Sequence, residues 1–112
     1  MNAATDGSAA EGEEEIGEER FLAIVSEMTS ADASLSGVGA AILAAHRLGI
    51  AKDTRTFARI FDIEHALVLR EATSLAGTGF LVILARNART QRTEYTPADK
   101  AMPLLARALP ST

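Results

Sequence analysis

The chain of 112 residues is 47% hydrophobic but only 4% aromatic, contains no cysteine and carries a formal net charge of −4. That length supports one domain with a single modest core. A core poor in aromatics has to be built from Ala, Leu, Ile and Val, which favours helices with room for one or two short strands, and without thiols there are no disulfides or thiolate metal sites.

The longest apolar runs, such as residues 80–85, fall far short of the roughly 20 residues a membrane helix needs. The N-terminus has neither the basic start nor the apolar stretch of a signal peptide, so a soluble cytoplasmic protein is expected. The charge is divided along the chain. Residues 1–28 hold eight acidic side chains against Arg20 alone, a balance of −7, and residues 29–112 hold ten Lys and Arg against seven Asp and Glu, a balance of +3. An acidic arm on a basic body leaves the body able to meet a polyanion.

In chain order, residues 1–12 are small and polar without periodicity and predict a disordered acidic tail. Residues 13–28 predict an N-terminal helix, with Ile16, Phe21, Ile24, Val25 and Met28 at three- and four-residue spacings and glutamates in the early turns, where they complement the helix dipole. Residues 29–36 are a small polar linker in which Ser34 or Ser36 caps the next helix, expected over 35–48 and ended by Gly49. Gly37 and Gly39 weaken its first turns and permit close approach of another helix. Asp53 is the expected N-cap of a short helix over 54–61, with Phe57, Ile60 and Phe61 inward. After a link at 62–64, a helix over 64–76 carries Val68, Ala72 and Leu75 on one stripe, and Gly77 and Gly79 stop it.

Residues 80–84 have the β-branched and aromatic content of a strand, 86–92 form a polar basic loop, and 93–96 return as a second strand. Pro97, capped by Thr96, is expected to open a last helix over 98–109, which Pro103 should kink or break. The fold class is therefore mainly α with a two-stranded β wing.

Helix, short helix, longer helix, strand, basic loop, strand, helix is the order of a winged helix-turn-helix domain, expected here over residues 29–112. Over about residues 35–109 the chain resembles the small multiple-antibiotic-resistance-type (MarR-like) transcription regulators. The residues that carry the resemblance are Leu75-Ala-Gly-Thr-Gly79-Phe80-Leu81 at the helix end and strand entry, the arginines of ARNARTQR at the wing, and TEYTPADKAMPLL at the strand-to-helix junction. The recognition helix departs from that family's usual Ser, Thr, Arg and Asn opening, since its face here reads Glu64, His65, Leu67, Leu69, Arg70, Thr73 and Ser74.

The resemblance implies a transcriptional regulator that binds double-stranded DNA. The 64–76 helix lies in the major groove, and the 86–92 wing lies on flanking backbone or minor groove. Arg70 is the base-reading candidate, because a guanidinium can bond guanine twice, and Thr73 and Ser74 reach a base or a phosphate. Lys52, Thr54 and Arg55 sit where a helix start favours phosphate, His65 stands at the start of the recognition helix, and Arg86, Arg89 and Arg92 form the wing contact. The related regulators pair through their terminal helices, so a homodimer built from residues 13–28 and the last helix is expected. The other reading is a protein-binding module that uses Leu67 and Leu69 and no nucleic acid. Two histidines and scattered carboxylates form no recognisable metal site, and no Ser or Thr is paired with a base. No enzyme activity and no cofactor are expected.

Overall fold

The protein is described here by a computed structural model covering residues 17–109. It is mainly helical, with one two-stranded antiparallel sheet. In chain order the elements are α1 (Glu18–Ala31), α2 (Gly37–Arg47), α3 (Thr54–Phe61), α4 (His65–Gly77), β1 (Leu81–Arg86), β2 (Thr93–Pro97), a 3-10 turn (Asp99–Ala101) and α5 (Met102–Ala108). No helix among these residues is long and apolar enough to cross a membrane.

The body is organised around α2, which packs against α1, α4, α5 and β2. Ala40, Ile42, Leu43, Ala44 and Ala45 are fully buried there, so small side chains let four elements crowd one helix. Ser36 caps α2 by accepting a hydrogen bond from the Gly39 N–H, and its hydroxyl donates to Glu71 of α4. That crossing leaves little room for a side chain at Gly39. A Cβ there would lie 3.1 Å from Leu75 Cδ2 and 3.1 Å from Ser36 Oγ, closer than nearly all real contacts.

Helix α3 has the expected bounds, and Asp53 caps it as expected, accepting from the Thr56 N–H at 2.8 Å. It stops at Asp62, which adopts the left-handed conformation (φ 55°), while the Ile63 N–H closes back on the Ala58 carbonyl. Helix α4 ends at Thr78 and Gly79, and it is Gly79 that supplies the positive φ of 91°. In the hairpin, Leu81 pairs with Pro97 and Arg86 with Thr93, and a bulge between Ile83 and Ala85 shifts the register. Asp53 forms an isolated bridge to Glu94 on the far side of β2. An extended residue between α2 and α3 thus flanks the hairpin.

Several expectations are corrected, and others fall outside the described residues. The expected disordered tail at 1–12 and the expected helix start at 13–16 lie outside the described residues, and α1 runs on past Met28 to Ala31. Ile60 is exposed rather than inward. Pro97 does not open a helix. It is the last residue of β2, where a missing N–H is tolerated at a strand end, and Ala98 then donates to the Phe80 carbonyl. Pro103 causes no kink, because α5 begins at Met102 and Pro103 occupies its first turn, where no intrahelical donor is needed. The apolar faces of α1 and the C-terminal segment are used within one chain: Phe21, Ile24, Met28, Leu105 and Leu109 are all buried, and α1 packs on α5. That removes the basis for a dimer made by those faces.

Candidate nucleic-acid interface

The sequence concentrates positive charge in α3 and the hairpin, with Arg70 alone on α4, and these side chains line clefts at the surface. One cleft, of about 500 Å3, lies between α4 and the wing and is lined by Leu69, Arg70, Thr73, Ser74, Arg86 and Gln91. Residues separated by some 15 positions therefore share one surface. Thr73 and Ser74 are exposed in the last turns of α4, one turn beyond Arg70. Arg86 closes the other wall, its Nε donating to the Thr93 hydroxyl at 3.1 Å.

The remaining arginines meet where α3 approaches the wing. Arg55, Asn87, Arg89, Thr90 and Arg92 line one cleft, and Arg55, Arg59, His65 and Arg92 contribute to a second beside it. Charge repulsion would spread these side chains unless something fixed them. Arg55 is held by two donations to the Thr90 carbonyl, at 3.1 and 2.7 Å. Arg92 is held by an ion pair, its Nε 3.6 Å from Asp53 Oδ1. Both remain solvent-exposed, so each arginine has a structural partner and an open face.

The wing tip is a built turn rather than a slack loop. Asn87 Oδ1 accepts from the N–H groups of Arg89 and Thr90, and Asn87 N–H donates to the Arg92 carbonyl. Gln91 takes the left-handed conformation (φ 64°) that lets the chain turn back, donating its N–H to the Asn87 carbonyl. Asparagine is suited to that role because its short side chain mimics a backbone turn.

Thr54 is corrected outright. It is completely buried, so its hydroxyl is not available to a phosphate. Its oxygen accepts from the Thr93 N–H at 3.0 Å and lies 2.8 Å from His65 Nε2. Both contacts are satisfied together if the threonine O–H donates to an unprotonated Nε2. Burial, then the nearby Arg55 charge, lowers the His65 pKa against the opposing pull of Asp53, which favours that neutral ring. His65 is half-buried and belongs to the frame as much as to the surface. Lys52 is exposed at the head of α3, and its carbonyl accepts from the Tyr95 N–H at 3.4 Å.

Arg59, Asn87 and Gln91 were not foreseen. Arg59 carried a signal, since it follows Arg55 by one helical turn. Leu67 and Leu69, the basis of the protein-binding reading, are half-buried rather than exposed. Among the described residues no group of three His, Asp or Glu side chains is placed to hold a metal. Comparison of the chain with protein-family models, curated proteins and solved structures finds no match. The functional reading therefore rests on the residues and their geometry.

Proposed function

We propose that the protein is a winged helix-turn-helix transcriptional regulator that binds double-stranded DNA as a homodimer and catalyses no reaction. Helix α4 enters the major groove with Arg70, Thr73 and Ser74 at base edges, and the turn at Asn87–Arg92 follows the flanking backbone or minor groove. The observation that carries this reading is the shared cleft of Arg70, Thr73, Ser74 and Arg86 beside the Arg55, Arg89 and Arg92 cluster. A polyanion laid along both would meet basic side chains from three elements, and eight of the fifteen acidic residues fall in the first 28 positions of the chain.

The test is fluorescence anisotropy on random-sequence duplex across a salt series. Four to six neutralised phosphates give a slope of roughly −4 to −5 in log K against log salt. A slope near zero would overturn the reading, whatever the affinity.

A further inference from the structure

An apolar groove of about 750 Å3 runs between α1, α2 and α3 and shares only Ile63 with the arginine clefts. Val25, Val38 and Phe61 help line it, and Leu22 and Ile60, 58% and 44% exposed, stand at it. We propose that this groove is the homodimer interface, occupied by Leu22 and Ile60 of a second copy of the chain. The proposal rests on the dimeric part of the reading above, keeps α1 but on another of its faces, and replaces the last helix with α2 and α3.

Knob and hole on one patch satisfy the requirement of a two-fold contact, in which a single surface must complement itself. The charges at its borders point the same way. Glu18 lines the groove and Glu19 follows it, both exposed in the first turn of α1, while Arg59, next to Ile60 on α3, lines the adjoining cleft that shares Ile63 with the groove. None of the three forms an ion pair with another described residue. A half-turn across the groove lays the acidic end of α1 over the basic side of α3, and does so twice. The chain's own N-terminal segment is a poor occupant. Residues 1–16 offer only Met1 and Ile16 as apolar side chains larger than alanine, and their four glutamates would face Glu18.

The test is sedimentation equilibrium on the full chain without DNA, so failed pairing and failed duplex binding are seen separately. At about 100 μM, well above a micromolar dissociation constant, the expected mass is twice that of the chain. Leu22→Asp is expected to raise the dissociation constant at least about 100-fold, because a two-fold contact loses the knob twice. Met102→Asp, an exposed change on α5, is expected to leave the mass doubled. Charge reversal gives an independent check. The Glu18→Arg, Glu19→Arg chain and the Arg59→Glu chain should each pair poorly alone and recover the doubled mass when mixed. A wild-type monomer at this concentration overturns the proposal, and so does a dimer broken by the Met102 variant but not by Leu22→Asp. Folded variants, checked by circular dichroism, that fail to recover on mixing overturn it as well.

Discussion

Around α2 the protein is held by burial: Ile42, Leu43 and three alanines are sealed among α1, α4, α5 and β2. Between α3 and the hairpin it is held by directional bonds, from the Thr54 hydroxyl to Thr93 and His65, from Arg55 to the Thr90 carbonyl, and from Asp53 to Thr56 and Arg92. The two regions follow different physics. Burial scales with area and tolerates small displacements, whereas a hydrogen bond fixes position and loses strength steeply when misaligned. The basic surface that, on the proposed function, would have to match phosphate spacing is placed on the second kind of support.

The contrast can be broken most strongly on the apolar side. Leu43→Ala should cost about 2–5 kcal/mol through lost burial and the cavity left in a crowded site, read as a lower midpoint in denaturant with duplex affinity unchanged under folding conditions. Thr54→Val keeps the shape and removes the hydroxyl, stranding the buried Thr93 N–H. We expect a loss of about 1–3 kcal/mol together with weakened DNA binding, and a variant that loses stability alone would show that the bond network does not position the surface.

A smaller effect comes from pH. The pKa of His65 is lowered by burial and Arg55, and that of His46 by burial and Lys52. A base whose folded pKa is depressed is protonated more readily when unfolded, so stability is full above the ordinary histidine value of about 6.5 and declines as pH falls below it. The melting temperature should drop between pH 7.5 and 5, and the His46→Gln, His65→Gln double variant should show a shallower drop. The smallest stability change belongs to Arg89→Ala, exposed at the wing tip and expected to stay within about 0.5 kcal/mol of wild type. Its duplex affinity should nevertheless fall similarly on all sequences, with the salt slope reduced by about 1. A loss confined to one sequence would mark Arg89 as a base reader instead.

Legibility in the sequence followed the range of the interactions. Helix α3 was readable to the residue because Asp53 and the Phe57–Phe61 spacing act within one or two turns. The C-terminal region was not, because a Thr-Pro pair suits a helix start and a strand end equally. Only the pairing of Pro97 with Leu81, sixteen residues earlier, decides between them. The apolar face of α1 was visible, but its partner lies some eighty residues away, so it was assigned to another chain. The arginines were all countable. That Arg70 shares a cleft with Arg86, or that Thr54 turns inward, depends on where β2 arrives.

The attachments of the hairpin to α3 have a consequence in time. The Lys52 carbonyl, the Asp53 carboxylate, the Thr54 hydroxyl and the Arg55 guanidinium each hold a residue between Thr90 and Tyr95. Four consecutive residues thus make one latch, and fraying the first turn of α3 releases these four tethers together, while buried Leu81 and Tyr95 still hold the strands to the body. The wing should open as a unit, its amides exchanging with solvent at a common rate while those of α2 exchange far more slowly. A cap contributing about 1 kcal/mol holds the frayed population roughly fivefold lower than it would otherwise be, so Asp53→Ala is expected to speed amide exchange at the wing tip by about that factor.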